Sequence, residues 1–398
     1  MANIYYKIDG NNCYYCNTQK SGYSLRPHSS SPMYESVSEN KNVIVELTNG
    51  KFVFPEWSAG LFKGATNTSF NNISSWDTSA ATSVAALFDD CKNVTSIDIS
   101  SFRFTSTVDL SRMFSDCSAL TNIPGLGSLS ATATYISSMF SGCSSLVRAD
   151  IRGIRTINGG GSFLFNGCKA LISVQATPGS IASTTLQYAF ENCTSLKSVD
   201  LSFIVPTSDR FSFGSAFYNC TLLETINFGD NLRSATLNPV SFEFAFENCI
   251  RLKSIDLADA KWTIDTVFMR HSFTNCTDLK EIHFDRCNWL PIGGSSFGDI
   301  FNGCVNLENV YVKEGTDWAS DGSTGFDVFT SCRKLPNWNG TKDLTRANTV
   351  KNFGYFTGVW EPEPVTTYIK LTDDAWTEVT TAYIKTGSRS WKDSTIWK

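Results

Sequence analysis

The sequence contains few of the residues from which catalytic and metal sites are built. Histidine occurs only three times among 398 residues, at positions 28, 271 and 283. An enzyme needs a nucleophile with its base, a close pair of carboxylates or a metal cluster, and none of these sets stands out here. The glycine run at 159–161 lacks the Gly-Lys-Ser/Thr ending of a phosphate-binding loop. We therefore predict a protein that is not an enzyme and that has no cofactor and no metal.

Long apolar runs and a basic charge balance are also missing. No stretch approaches the roughly 20 apolar residues that a membrane-spanning helix needs, so we expect no membrane insertion. The first residues show no basic segment followed by an apolar run, and we expect no secretory signal. The net charge of −5 argues against nucleic acid as a partner. A hydrophobic content of 41% with 18% charged residues is typical of a folded, well-packed chain.

A repeat fills most of the sequence. The pattern Phe-x-x-Cys-x-x-Leu occurs ten times between Phe88 and Leu335, with Val94 as the single replacement of the leucine. Because the period is constant and the apolar frame is fixed, the pattern predicts a solenoid in which each coil buries its apolar face against the next. The repeat cysteines are spaced 25 to 29 residues apart, at Cys91, Cys117, Cys143, Cys168, Cys193, Cys220, Cys249, Cys276, Cys304 and Cys332.

The cysteines are predicted to be inert. Ten of the 13 occupy the repeat column, where they would stack at the strand spacing of about 4.8 Å and pack as small buried hydrophobes. We expect reduced thiols there rather than disulfides. Cys13 and Cys16 form the one Cys-x-x-Cys, but a structural zinc site would need a second ligand pair, and the nearest candidate is His28 alone. We expect these two cysteines to be paired thiols in a turn.

Each repeat predicts one strand and one helical turn. In the fifth repeat, Val199 and Leu201 alternate with polar residues as in a short strand, and Ala189-Phe190 before the cysteine suits one turn of short helix or a 3₁₀ segment. Stacking would align the strands into a parallel sheet. The predicted fold class is therefore an α/β solenoid with one short parallel strand and one helical turn per coil, flanked by small β-rich segments.

The outward position of the predicted strand supplies a candidate interaction surface. Aspartate recurs there on alternate coils, which places successive carboxylates about 10 Å apart. The column could bind a cation or a basic partner, or it could simply be solvated with charge repulsion minimised. His283 would neighbour Asp256 as an acid–base pair or as two solvated side chains. The candidate residues are Asp98, Asp150, Asp200, Asp256, His283 and Tyr311.

The signature resembles the BspA-like leucine-rich repeats, the bacterial surface family with Phe-x-x-Cys-x-x-Leu followed by a short strand. The resemblance covers about residues 60 to 340 and implies adhesion, because surface members of the family bind components of host or partner cells. The stretch from Trp76 to Phe88 also looks like the related repeat of mycoplasma-type surface lipoproteins. One period before Cys91, Phe62 and Ala65 occupy equivalent positions, which predicts a degenerate coil that caps the stack.

The two ends lack this period. Residues 1–58 read as a β-rich module or cap, with Asn49-Gly50 as a hairpin turn. Residues 59–345 form the predicted solenoid. Residues 346–398 read as a boundary, with a stiff Pro-Glu segment at 361–364, and a tandem β tail that resembles the ends of bacteriophage tail and appendage proteins. In this tail Tyr-Ile-Lys recurs after 15 residues, and the candidate residues for attachment or for a homo-oligomer interface are Trp376, Trp391 and Trp397.

These features combine into one functional hypothesis. We expect a non-enzymatic adhesion or interaction protein of a bacteriophage virion, on a tail or capsid appendage, because family members on cells need an export signal and a virion protein does not. Its partners would be a host-surface protein or glycan, or other virion proteins. The alternative is a BspA-like adhesin of the bacterial cell surface.

Overall fold

The computed structural model describes two compact units, Met1–Gly358 and Val359–Lys398. The described residues are 3–26, 38–157, 159–238, 241–257, 259–260, 262–264, 268–285, 287–289, 298–317, 327–338, 357–359, 366–372, 375–380, 383–386 and 390–393. The first unit opens with a four-stranded sheet of order β3-β1-β2-β4. Its strands are β1 (Tyr5–Asp9), β2 (Asn12–Cys16), β3 (Ser24–Leu25) and β4 (Asn42–Val45).

The rest of the first unit is a β-solenoid of about ten turns in which helices are scarce. In most of the middle coils two sides are short strands that pair in parallel with those of neighbouring coils. Among the described residues the helices are α1 (Gly229–Ser234) and two 3₁₀ turns, Ile73–Ser75 and Leu126–Ser128. The strands are β5 (Phe52–Val53), β6 (Trp76–Asp77), β7 (Val108–Asp109), β8 (Ala131–Tyr135), β9 (Arg148–Asp150), β10 (Ile154–Thr156), β11 (Ser173–Gln175), β12 (Ile181–Ser183), β13 (Ser198–Asp200), β14 (Ile204–Pro206), β15 (Thr225–Asn227), β16 (Ser254–Asp256), β17 (Thr263–Ile264), β18 (Glu281–Phe284), β19 (Asn288–Trp289), β20 (Asn309–Lys313) and β21 (Thr357–Val359).

We name the three sides of a coil by their structure. The strand face consists of the strands that follow the repeat leucine, paired as β9-β11, β13-β15 and β16-β18-β20. The second sheet is the row β14-β12-β10-β8-β7. The turn face is the segment of seven residues that ends just before each repeat cysteine, and it contains turns rather than strands.

The repeat phenylalanines and cysteines form the core of the solenoid. All ten phenylalanines are at most 1% exposed, and each ring stacks on the next at 5.2–5.8 Å between centroids. Each repeat thiol lies 3.0–3.2 Å from the carbonyl oxygen of the phenylalanine one coil earlier, so the S–H donates across the coil boundary. The column is therefore both packing and a weak hydrogen-bond ladder.

All thirteen cysteines are free and buried, which confirms the expectation of reduced thiols. The predicted position of one pair was wrong. Cys13 and Cys16 lie on strand β2 rather than in a turn, because the alternation in Cys13-Tyr14-Tyr15 gives that strand one face toward the core. His28 lies outside the described residues.

The helical turn predicted before each cysteine is a series of single hydrogen-bonded turns rather than a continuous helix. In the fifth coil the N–H of Cys193 bonds to Phe190 within a turn, whereas the N–H of Phe190 bonds to Ala216 of the next coil. This alternation requires left-handed backbone at Tyr188 (φ 58°) and Asn192 (φ 60°), which no α-helix contains. The turn face is thus a chain of single turns whose intervening N–H groups bond to the next coil.

The N-terminal module caps the first coil. In every later coil, turn-face carbonyls accept N–H groups from the coil before, but the first coil has no predecessor. Its carbonyl at Leu61 accepts the Tyr15 hydroxyl at 3.0 Å, and that at Ala59 accepts Nη2 of Arg26 at 3.0 Å. Ser38 Oγ donates to the carbonyl of Lys63 at 3.0 Å. Side chains of the module therefore replace the hydrogen bonds of the missing coil.

The expected turn and degenerate coil of this region are confirmed. Asn49 and Gly50 both have positive φ, and Thr48 pairs antiparallel with Lys51 as in a tight hairpin turn. Phe62 is fully buried, and its carbonyl accepts the thiol of Cys91 as in a regular coil.

The second unit contains two antiparallel hairpins of the same design. They are formed by β22 (Thr366–Thr372) with β23 (Ala375–Thr380) and by β24 (Tyr383–Thr386) with β25 (Ser390–Asp393). Lys370 pairs with Trp376 in the first hairpin, and Lys385 pairs with Trp391 in the second. The tandem repeat of the sequence therefore corresponds to one hairpin per repeat. The Pro-Glu segment 361–364 and Trp397 lie outside the described residues.

Truncating the phenylalanine column should destabilise the solenoid far more than changing the strand face. We expect Phe190→Ala to lower the free energy of unfolding by ~3–5 kcal/mol, because the ring is completely buried. Asp200→Asn, at an exposed position, should change it by no more than ~0.5 kcal/mol. Chemical denaturation followed by circular dichroism measures both. Equal losses would contradict the inside–outside assignment.

The burial of the thiols predicts their labelling. A thiol reagent should modify few of the ten repeat cysteines in the native protein and all of them after denaturation, because no reagent reaches the solenoid interior. Mass spectrometry of the labelled protein counts the modified residues. Rapid native labelling of the repeat column would show that the coils open.

Candidate interaction surface

The strand face brings the predicted outward residues into one column. Asp150 pairs with Gln175 of the next coil, and Asp200 pairs with Asn227. Aspartate thus faces a neutral amide in both pairs, as expected from the repulsion between like charges on adjacent strands. Farther along, three candidates occupy consecutive strands in register, namely Asp256, His283 and Tyr311.

The aspartates of this column also have a local role. Oδ1 of Asp98 accepts the N–H of Ser100 at 2.9 Å, and Oδ1 of Asp200 accepts the N–H of Ser202 at 2.9 Å. Each bond closes an Asx turn, and the turn at Asp200 ends strand β13. The hydrogen bonds from Ser100 hold the pKa of Asp98 below its usual value. Part of the acidic pattern is therefore explained by turn formation, and binding needs support from other features.

His283 packs against one aromatic ring and lies near two carboxylates. Its ring stacks on Tyr311 with 4.4 Å between centroids and an interplanar angle of 12°. Nδ1 lies 3.4 Å from Oδ2 of Asp285, and Nε2 lies 3.7 Å from Oε1 of Glu281. The nitrogens thus approach Glu281 and Asp285, two neighbours that sequence reasoning did not single out. The His283 side chain is 13% exposed, so little of it is open to a partner.

His271 and the buried thiols pack against neighbouring side chains or carbonyl groups. Among the described residues, no group of three His, Cys, Asp or Glu side chains could hold a metal ion. His271 is stacked on Phe244 at 5.1 Å, and its Nδ1 lies 3.3 Å from Oγ1 of Thr274. Burial raises the pKa of the Cys193 thiol well above its ordinary value and that of Cys287 to about 12. Such thiols stay protonated and are poor nucleophiles.

Sequence reasoning missed a row of aromatic side chains on the turn face. Phe163 and Tyr188 stack at 4.6 Å between centroids, and Phe163 is 38% exposed. Both have left-handed backbone, which is unfavourable for bulky residues and which Ser138 and Ser215 adopt at equivalent positions. The sequence does contain a signal for this row, because large rings occupy a position that small polar residues fill in other coils. This row is a second candidate surface of the solenoid.

Beside the aromatic row lies a ladder of asparagines. Nδ2 of Asn219 donates to Oδ1 of Asn192 at 3.0 Å, and the same bond links Asn248 to Asn219 and Asn275 to Asn248. Asparagine tolerates the left-handed backbone of this position, and its amide repeats from coil to coil. The ladder fixes the turn face without closing it to solvent.

Comparison with known proteins agrees with this architecture. The family described as BspA type leucine rich repeat region matches residues 127–242 and 213–335, together more than half of the chain. The chain belongs to the BspA-type leucine-rich repeat family. Residues 56–154 match the family described as Mycoplasma protein of unknown function, DUF285. No curated protein matches the chain. Within the described part, no helix is long and apolar enough to cross a membrane.

Three solved structures are similar to this BspA-type protein. TLR13 in a TLR13-ssRNA13 complex is 14% identical with a TM-score of 0.30, and the match covers 74% of this chain but 39% of TLR13. A leucine-rich repeat protein from Bacteroides ovatus is 14% identical with a TM-score of 0.28, covering 78% of this chain and 93% of that one. An internalin from Listeria monocytogenes is 12% identical with a TM-score of 0.27, covering 74% and 79%.

The buried thiols predict a loss of stability at alkaline pH. Burial raises the pKa of eight repeat thiols, whereas in the unfolded chain a thiol has a pKa of about 8.5. Below that pH the thiols are protonated in both the folded and the unfolded chain, so their contribution to the free energy of unfolding does not change with pH. Above it the unfolded chain loses protons that the folded chain keeps, so stability falls by up to ~1.4 kcal/mol per pH unit for each thiol.

We expect the urea midpoint under reducing conditions to fall between pH 7.5 and about 9.5, a range below the ordinary pKa of tyrosine. The double variant Cys168→Ala/Cys193→Ala should show a smaller fall, because it has two fewer titrating thiols. A midpoint independent of pH, or an equal fall in the variant, would contradict the assignment.

Proposed function

We propose that the BspA-type solenoid is a non-enzymatic binding surface through which the protein adheres to another macromolecule. The observation that carries this is the family match together with two exposed faces, the strand face and the turn face, that repeat over many coils. Leucine-rich repeat solenoids present extended surfaces suited to recognition. The proposed contact residues are Asp98 of the first repeat with Asp150, Asp200, Asp256 and Tyr311 of the strand face. His283, which is 13% exposed, would support this surface by stacking on Tyr311.

We further propose that the protein is a bacteriophage virion component on a tail or capsid appendage. The supporting observation is the tail, where two hairpins that share a Lys–Trp pair follow the repeats. In this proposal the tail attaches the protein to the particle or to sister chains through Trp376, Trp391 and Trp397. Segments 1–58, 59–345 and 346–398 would act as cap, binding solenoid and attachment region.

The second candidate is a BspA-like protein of the bacterial cell surface. It is supported by the repeat family and by the DUF285 match at residues 56–154. Both candidates share the same binding solenoid and differ in what the tail attaches to. Adjacent portal, capsid or tail genes would favour the virion, and adjacent cell-envelope genes would favour the surface protein.

Deleting residues 361–398 tests the division of roles. We expect the truncated protein to stay folded and soluble, to keep its binding to partner cells, and to lose assembly, because the two hairpins belong to a compact unit of their own. Circular dichroism, cell-binding assays and light scattering measure the three properties. Full-length protein is the control.

Loss of cooperative unfolding or aggregation of the truncated protein would show that the tail is a cap instead. Failure of the full-length protein to bind any host or partner cell would contradict the adhesion function itself.

A further inference from the structure

A cavity opens at the corner where the strand face turns into the second sheet. It has a volume of about 320 Å³ and lies between strands β8 and β10 and the turns before them. We call it the corner pocket. Its polar lining includes Ser130, Thr132, Arg152, Arg155, Thr177 and Ser180.

One irregular segment builds the pocket. The 3₁₀ turn Leu126–Ser128 approaches the following coil closely, and a glycine stands at each of two contact points, Gly127 in the turn and Gly153 in the following coil. A Cβ on Gly153 would lie 2.6 Å from the backbone nitrogen of Leu129, and one on Gly127 would lie 2.2 Å from Oδ2 of Asp150. Neither position accepts another residue without movement, so the corner has a defined shape.

The coils around the pocket are basic in a chain that is acidic overall. Between residues 117 and 190 the single carboxylate side chain is Asp150, whereas Arg148, Arg152, Arg155 and Lys169 are all present. This region therefore has a net charge of +3, against −5 for the whole chain. A local excess of one sign attracts a ligand of the opposite sign.

The two arginines of the pocket differ in their pairing. Arg152 is engaged by Asp150, with Nε–Oδ1 and Nη2–Oδ2 distances of 2.8 and 2.7 Å. Arg155 lies on β10 in register with Thr132 of β8, and it is exposed. Within the described chain no carboxylate forms an ion pair with Arg155. Its guanidinium is therefore available for a bidentate contact with an anion.

Ser180 supplies an independent sign of a missing partner. This residue is 3% exposed and lines the pocket, yet its Oγ has no hydrogen-bond partner in the described chain. Buried hydroxyls are usually satisfied, so an exception calls for an explanation. A ligand oxygen in the pocket would provide the acceptor after a small rotation of the side chain.

We propose that the corner pocket binds an anionic oxygen group, a carboxylate or a phosphate ester, carried by a polymer on the partner's surface. Arg155 forms the charged contact, Thr132 and Ser180 offer hydroxyl donors, and the Arg152–Asp150 pair shapes the wall. A second cavity of about 290 Å³, lined by Arg148 and Asp150, lies along the strand face and would hold a neighbouring unit of the polymer. The proposal that the anion belongs to a polymer on a partner's surface rests on the proposed adhesion function. The proposal that the pocket binds an anion does not depend on that function.

The experiment uses the full-length protein at low ionic strength. Glucuronate and glycerol 1-phosphate are the carboxylate and phosphate probes, and glucose and glycerol are their uncharged counterparts. Isothermal titration and backbone amide chemical shifts measure binding. The test variant is Arg155→Gln, and the matched control is Arg210→Gln, an exposed arginine outside the pocket. Equal denaturation midpoints verify that both variants are folded.

We expect at least one anion to bind, its uncharged counterpart not to bind, and Arg155→Gln to weaken binding about tenfold or more. Arg210→Gln should bind like the parent, and added salt should weaken the affinity. Binding of glycerol 1-phosphate alone would assign a phosphate polymer, and binding of glucuronate alone would assign an acidic glycan. Absence of binding by either anion, or undiminished binding by Arg155→Gln, would overturn the proposal.

Ser180→Ala provides a second readout. It should raise the denaturation midpoint of the free protein, because it removes an unpaired buried hydroxyl, and it should weaken anion binding. A higher midpoint with unchanged affinity would remove Ser180 from the site and count against the proposal. The assay is separate from the cell-binding test, so a failure here would leave the adhesion function standing.

Discussion

The structure depends on a single constraint, namely that every part of a coil must rise by the same distance to reach the next coil. The phenylalanine rings stack at 5.2–5.8 Å, and the strands must pair at about 4.8 Å at the same time. Cysteine meets this constraint where a larger residue would not. It fills a small space, and its thiol reaches the phenylalanine carbonyl of the coil before at 3.0–3.2 Å. The same spacing explains why aspartates alternate with other residues on the strand face. Carboxylates on adjacent strands would lie directly opposite each other and repel.

Much of this could be predicted from the sequence, because the repeat pattern reports burial directly. Phe190, Cys193 and Leu196 recur at fixed spacing, and all three are fully buried. The helical turn could not be predicted in the same way. Apolar residues at Ala189, Phe190 and Cys193 fit the period of a helix, and the deciding feature was backbone handedness at Asn192. The residue before the cysteine is Asp, Asn or Gly in nearly every repeat, which are the residues that tolerate left-handed backbone. The identity of this residue indicates the backbone conformation, which the pattern of hydrophobic residues does not show.

The candidate surfaces were predicted less well than the core, for a physical reason. The repeat fixes which residues face inward, whereas a site depends on departures from the repeat. The outward positions of the strands follow from the repeat. The contacts of His283 do not, because Glu281 and Asp285 stand two residues before and two residues after it, outside the positions that the repeat specifies. The corner pocket lies beside the 3₁₀ turn Leu126–Ser128, and its arginines come from the following coil. In this solenoid the candidate sites therefore lie in the coils that depart from the repeat.

The cap of the first coil has a consequence for the whole solenoid. On the turn face every inter-coil N–H bonds forward, from Phe62 to Leu87 and so on to Phe301 and Val328. The peptide dipoles of these bonds add, as they do in an α-helix, but with the carbonyl oxygens directed toward the N-terminal end. The solenoid therefore has a negative pole at its first coil, and the buried guanidinium of Arg26 lies there against the carbonyl of Ala59. The solenoid thus has a net dipole along its axis, which favours a cation at its first coil and an anion at its last coil.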